Sequence, residues 1–291
     1  MNTLKGTRAA IFFGMLPALL IYIGIAIIPI FVSLYYSFFN WDGISAKSAV
    51  GFDNYVRIFN DSVFWLSVKN NIIIMVTGLI GQIPLGLLLA LLLNRKMRGS
   101  TFFRTVGFMP VVISSVMVSL IWGMIYNSEY GFMNALLGFF GLDSWQRNWL
   151  GDTSISMYSV SLAYIWQNCG LYMVIFLAAL QNIPGEVNEA AELDGATGLR
   201  RVFRITIPMI RSTILVAVVY SISNSFRVFD LVQILTGGGP AHMTEVMTIY
   251  MYNHAFVSRQ FGYGSAASML ILLFSLIVVS LVNRLGREKE I

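Results

Sequence analysis

Residues 181–208, QNIPGEVNEAAELDGATGLRRVFRITIP, carry four carboxylates (Glu186, Glu189, Glu192, Asp194) followed by three arginines (Arg200, Arg201, Arg204). The runs on either side, Met157–Leu180 and Ser212–Leu235, are almost free of charge. Each is about as long as the ~20 residues a helix needs to cross a bilayer core. A polar, helix-prone segment caught between two such runs decides the reading. The chain crosses a membrane repeatedly, and this segment meets something soluble at the membrane surface.

Composition agrees. The chain is 57% hydrophobic and 11% charged, with a mean hydropathy of +0.72, whereas soluble domains average about 25% charged residues. Six spans are expected: Ala9–Phe31, Asn71–Leu93, Val106–Tyr126, Met157–Leu180, Ser212–Leu235 and Ser265–Val282. Apolar runs of this length must be helices, because bare backbone polar groups are too costly in hydrocarbon. The class is therefore all-α, with residues 1–291 forming a single transmembrane domain. The apolar run from Ala9 to Val32 has 24 residues, too long for a signal-peptide core of about 7–15 residues, so it reads as a retained first span.

Thirteen of the 19 basic residues fall in four segments on one side: Lys5 and Arg8; Arg95, Lys96, Arg98 and Arg104; Arg200, Arg201, Arg204 and Arg211; and Arg284, Arg287 and Lys289. The positive-inside rule places both termini and the 181–208 loop in the cytoplasm. The net charge of +5 is thus a matter of topology and implies no nucleic-acid partner. The cluster from Arg95 to Arg104 reads as a topology anchor, with anionic membrane lipid as its modest further partner. Outside, the aromatic loop 37–69 suits an interfacial cap. Loop 127–156, broken by glycines and carrying Trp145 and Trp149, reads as a lid or docking surface.

Within the cytoplasmic loop, Pro184 starts a helix with Glu186 and Glu189 in its first turns, where the helix dipole favours acid. Asp194-Gly195 is a plausible stop. Leu199, Val202 and Phe203 at i, i+3, i+4 suggest a second short helix. The residues alone leave open whether this knob is a protein interface or a solvated connector.

The spacing Glu189-Ala190-Ala191, three residues, Gly195, nine residues, Ile205-Thr206-Ile207-Pro208 resembles the EAA loop of binding-protein-dependent ABC importer permeases. The departure is Ile207 where the family pattern has Leu. GFDNYVRIF, LLALLLNRKMRGSTFFRT, FMPVVISSVMVSLIW, LAALQNIP, LTGGGP and FGYGSAAS extend the likeness to the sugar permeases that include the maltose-type subunits. The resemblance implies a type I ABC importer permease with six helices and both termini inside. It further implies a loop centred on Glu189, Ala190, Ala191, Asp194 and Gly195 that docks on a cytoplasmic ATPase dimer. The implied companions are a second homologous permease, an extracytoplasmic solute-binding protein and a sugar substrate. ATP and Mg would be bound by the ATPase subunits, leaving this chain without a cofactor.

The chain itself offers no catalytic constellation. No G-x-x-x-x-G-K-[ST] phosphate loop and no HExxH occur, so no catalytic or metal site is expected. Gly237-Gly238-Gly239-Pro240 reads as a sharp turn. Polar groups inside spans mark function by default. Trp166, Asn168, Asn224, Phe226, Arg227 and Asp230 are the expected substrate-path residues, since amides, hydroxyls and aromatic faces together suit sugars. Arg227 left unpaired would instead favour an acidic sugar, and an importer of the same type could carry glycerol phosphate or a polyol. An ion-coupled secondary transporter is a distant reading, as no inverted repeat is visible.

Substituting Gly195→Asp is expected to abolish transport while the protein remains membrane-inserted, as read by uptake and membrane fractionation. Normal uptake by this variant would contradict a coupling role for the loop.

Overall fold

The computed structural model describes residues 3–95, 98–194 and 196–287. Lys96, Gly195 and Lys289 lie outside these. The element order is α1 (Thr3–Tyr22), a π-helical turn (Ile23–Ile27), α2 (Ile28–Tyr36), β1 (Phe39–Asn40), β2 (Ser48–Ala49), α3 (Asp53–Phe59), α4 (Ser62–Leu93), α5 (Ser100–Val112) and α6 (Ser115–Ile125). There follow α7 (Phe132–Phe139), α8 (Ser156–Gln181), α9 (Gly185–Leu193), α10 (Gly198–Arg201), a π-helical turn (Val202–Thr206), α11 (Ile207–Met209) and α12 (Arg211–Ser225). The chain ends in α13 (Asp230–Leu235), α14 (Met247–Tyr252) and α15 (Phe261–Arg287).

Among the described residues, four stretches are long enough and apolar enough to span a membrane: Phe12–Tyr36, Ser62–Leu93, Ser156–Gln181 and Phe261–Gly286. Two further helix pairs are apolar enough only when taken together, and each is sharply bent. α5 and α6 meet at 99°, and the 198–209 segment meets α12 at 74°. The third expected span, Val106–Tyr126, is therefore not one straight helix. Ile113 and Ser114 are extended, and Ser114 caps α6 by accepting from the Met117 amide at 3.4 Å. The fifth expected span, Ser212–Leu235, is interrupted between Ser225 and Asp230. The second begins earlier than Asn71, at Ser62.

The chain divides into two compact units. The first, residues 1–61 and 251–273, contains an aromatic knot. Asn54 is buried and donates to the carbonyls of Ser37 (2.9 Å) and Phe39 (3.0 Å). The short antiparallel pair sets Phe39 against Ala49. Tyr36 stacks on Trp41 at 4.3 Å, and the Arg57 guanidinium lies 4.9 Å from the Tyr263 ring centre. In the turn, the amides of Ile44 and Ser45 donate to Asp42 and hold its carboxyl at about 2. The expected aromatic cap in loop 37–69 thus takes the form of a folded turn with its polar groups satisfied.

The second unit, residues 62–250 and 274–291, is built on α4 and α8. Gly86 makes their approach possible. A methyl group there would sit 2.6 Å from the Tyr172 Cβ and 3.0 Å from the Met173 amide nitrogen. Two apolar clusters flank this crossing: one around Ile74, Trp122, Val160 and Val232, the other around Ala90, Tyr172, Phe176 and Ile210. In α4, two consecutive buried asparagines tie the helix to the end of α12 and to the turn before α14. Asn70 donates to the carbonyl of Glu245 at 2.9 Å; Asn71 donates to that of Ser225 at 3.0 Å and accepts from the Met247 amide at 2.7 Å. Gly237 and Gly238 take positive φ (62° and 88°) in this turn, a backbone state that costs glycine nothing.

Replacing Gly86 by Val is expected to destabilise the second unit by about 1–3 kcal/mol, the usual range for overpacking. The measurement is the thermal midpoint of the detergent-solubilised protein, and a wild-type midpoint would contradict the close α4–α8 approach.

Candidate functional site

Three helices of the second unit meet through Gln82, which is fully buried. Its amide nitrogen donates to the Tyr164 carbonyl on α8 at 3.3 Å, and its amide oxygen accepts from the Ser221 hydroxyl on α12 at 3.2 Å. On the far side of that contact, Asn224 donates to the Tyr164 hydroxyl at 3.3 Å. Asn168 donates back to the Tyr164 carbonyl at 2.9 Å, and Gln167 donates to the Ser115 hydroxyl at 3.2 Å. Every one of these amides thus has a partner, as groups held in an apolar bundle must.

The same side chains border a cavity of about 310 Å3. Tyr164, Gln167, Asn168 and Leu171 of α8 line it, with Tyr220 and Asn224 of α12, Val111, Ser115 and the segment 227–231. The volume is at the lower end of small-molecule sites, roughly 300–1,000 Å3. Arg227 and Asp230 both reach it, and both are exposed. Among the described residues no salt bridge joins them. The wall therefore presents one cation, one anion, three amides and three hydroxyls. Such a surface can hydrogen-bond a polyhydroxyl compound from several directions.

Of the residues expected from sequence, Asn168, Asn224, Arg227 and Asp230 line this cavity. Trp166 and Phe226 do not. Trp166 packs edge-on against Trp122 at 5.8 Å, and Phe226 is buried. Helical spacing gives the reason: Tyr164, Gln167, Asn168 and Leu171 (i, i+3, i+4, i+7) share one face of α8, and Trp166 falls off it. Sequence reasoning missed Tyr164, Tyr220 and Ser115. The i, i+3, i+4 relation of Tyr164 to Gln167 and Asn168 was the available signal.

The loop after α8 carries the other set of residues singled out from the sequence. Pro184 precedes α9, Glu186 lies in its first turn, and the Asp194 amide closes the helix on the Ala190 carbonyl at 3.0 Å. Ala191 is buried and its carbonyl accepts from the Ala196 amide at 2.8 Å. Glu192 pairs with Arg201 at 3.0 Å, tying α9 to α10. Glu189 and Ala190 are exposed; Gly195 lies outside the described residues. Three large apolar side chains of the loop stand in the open: Leu193 (90% exposed), Leu199 (75%) and Phe203 (66%). Leu199 and Phe203, from the i, i+3, i+4 set that suggests the second short helix, both face outward.

Comparison with known proteins settles the family. The family model described as binding-protein-dependent transport system inner membrane component matches residues 82–290. The chain belongs to that family. It is a multi-pass permease of the ABC importers, seated in the cytoplasmic membrane. Among curated relatives, a probable ABC transporter permease of Bacillus subtilis, YurN, is 40% identical over 90% of each chain. The diacetylchitobiose uptake system permease NgcF of Streptomyces coelicolor is 32% identical over 94% of this chain and 82% of the relative. Among solved structures, a bacterial ABC transporter that imports the acidic polysaccharide alginate superposes with a TM-score of 0.84 at 24% identity, covering 99% of both chains. That likeness is one of fold.

Proposed function

We propose that this permease passes a sugar or oligosaccharide through the cavity at Tyr164, driven by ATP that a separate ATPase dimer binds with Mg and hydrolyses. The single observation that carries this reading is the cavity itself. A cluster of amides and hydroxyls at the meeting of three apolar helices is too costly to keep as mere packing. The curated relatives include an uptake permease for diacetylchitobiose. Arg227 makes no salt bridge with Asp230, which by itself would favour an acidic sugar, but Asp230 lines the same wall and offsets its charge, and on that balance we read the substrate as neutral rather than a uronate or a phosphate ester.

The loop around α9 is the proposed receiver of the ATPase stroke. Glu189, Ala190 and Asp194 present its surface over the buried Ala191, and Gly195 of the EAA spacing is assigned to the same receiver. The exposed Leu193, Leu199 and Phe203 are what a protein partner would bury, because large apolar patches left in water mark interaction sites. With the loop cytoplasmic, a second homologous permease would complete the pathway, and the extracytoplasmic binding protein would deliver substrate to the opposite face. In this division of labour the chain positions and passes its substrate, and the bond-breaking chemistry belongs to the ATPase.

Replacing Arg227 by Gln tests the substrate assignment. Uptake of neutral sugars is expected to fall by about tenfold, consistent with loss of one charge-assisted hydrogen bond, with no gain in selectivity against acidic ones. A variant that loses only acidic-sugar uptake would contradict the neutral reading and favour an anionic substrate.

A further inference from the structure

The segment between α6 and α8 is built around one side chain, Asn134 of α7. Its amide donates to the carbonyls of Ser128 (3.2 Å) and Arg147 (3.0 Å). Its oxygen accepts from the Arg147 amide (3.2 Å) and from the Trp149 indole N–H (2.8 Å). The Trp149 ring is fixed a second time by packing against Tyr126, with ring centres 6.2 Å apart. An indole held by both a hydrogen bond and a ring contact is a rigid platform.

Beside that platform lies a pocket of about 310 Å3, lined by Ser144, Trp145, Arg147, Trp149 and Ile155. Trp145 is 67% exposed at its rim. Arg147 faces Asp152 at 3.8 Å. The Ser154 hydroxyl (2.7 Å) and amide (2.9 Å) donate to Asp152 and hold its carboxyl below the usual carboxylate range. Two indoles, a guanidinium and a hydroxyl thus converge on a hollow that the transport cavity does not use, with the fixed Asp152 carboxylate behind the guanidinium.

We infer that this hollow binds a pyranose ring, forming a second carbohydrate site where the chain 144–155 meets the outer solution. The inference rests on the proposed sugar substrate and extends it. Indole faces suit the C–H face of a sugar, and Arg147 and Ser144 supply donors and an acceptor for its equatorial hydroxyls. Lipid is the competing occupant, but the apolar stripe of this segment lies elsewhere, on α7, where Phe132, Leu136 and Phe139 are exposed at i, i+4, i+7. The pocket segment instead carries Asp143, Gln146, Arg147 and Asp152, and its two carboxylates repel anionic headgroups. The site accepts one ring of an oligosaccharide before the chain enters the pathway.

The test uses the whole transport complex in lipid nanodiscs, without its binding protein, titrated with diacetylchitobiose and with maltotriose and read by saturation-transfer NMR. Wild-type complex is expected to show saturable transfer from one of the two sugars. Trp145→Ala should weaken it by about fivefold, Trp145→Phe by less than about twofold, and Asn224→Ala should leave it in place, as one aromatic contact is worth about 1 kcal/mol. Equal transfer in wild type and Trp145→Ala overturns the inference. So does quenching of Trp145 by brominated lipid that neither sugar relieves, which assigns the pocket to lipid. Uptake assays with the binding protein separate the two proposals. Uptake of a sugar that gives no transfer in wild type overturns the outer site and leaves the proposed function standing, whereas Trp145-dependent transfer without uptake of either sugar does the reverse.

Discussion

Gln82 cannot be left without partners in the middle of an apolar bundle. A bare amide in hydrocarbon costs about 4–8 kcal/mol, so α8 and α12 must present it with an acceptor and a donor. The Tyr164 carbonyl and the Ser221 hydroxyl do so at 3.3 and 3.2 Å. Interhelical hydrogen bonds in membranes contribute only about 0.6 kcal/mol on average, up to about 1.7. The contact is therefore better understood as setting register than as holding helices together. Adhesion comes from close backbone approach, such as that at Gly86. Register at Gln82 in turn decides which face of α8 carries Tyr164, Gln167 and Asn168 into the cavity.

From that contact the functional parts lie along single helices. α8 runs from Ser156 to Gln181, carries the cavity residues along its length and leads directly into α9. α12 carries Tyr220 and Asn224 and begins where the loop ends, across a 74° bend. In the proposed coupling, a displacement of α9 would reach the cavity wall through α8, with only residues 182–184 between the two helices. Rigid elements transmit such motion because packed contacts switch between discrete arrangements. The Glu192–Arg201 pair, exposed and worth little in stability, joins the two short helices of the loop.

Much of this was legible in the sequence. The second, fourth and sixth spans follow from run length, and the loop from its charge and the EAA spacing. The bend between α5 and α6 was not, because FMPVVISSVMVSLIW is apolar on every side and hydropathy carries no direction; Ser114 as a helix cap was the one local hint. Nor was the site fully readable. Gln82 and Ser221 each stand out as polar residues within spans, but their pairing across 139 positions is a tertiary fact. Tyr164 hid as an aromatic in an apolar run, while Trp166, which drew notice for the same chemistry, lies off the face that lines the cavity. The asparagine hub at Asn134 was invisible for a similar reason: its partners are mostly backbone groups, which leave no residue pattern.

The most direct test of the account is sugar uptake by the reconstituted, binding-protein-loaded complex carrying Gln82→Leu, with ATP hydrolysis followed in the same vesicles. Leucine removes the partners' register without adding a charge, and the small net worth of the two bonds predicts that the protein still folds and inserts. Hydrolysis should stay within about twofold of wild type while uptake falls by about tenfold, a change of about 1.4 kcal/mol in the transport barrier. Wild-type uptake would show that the cavity does not depend on the Gln82 contact and would contradict the account.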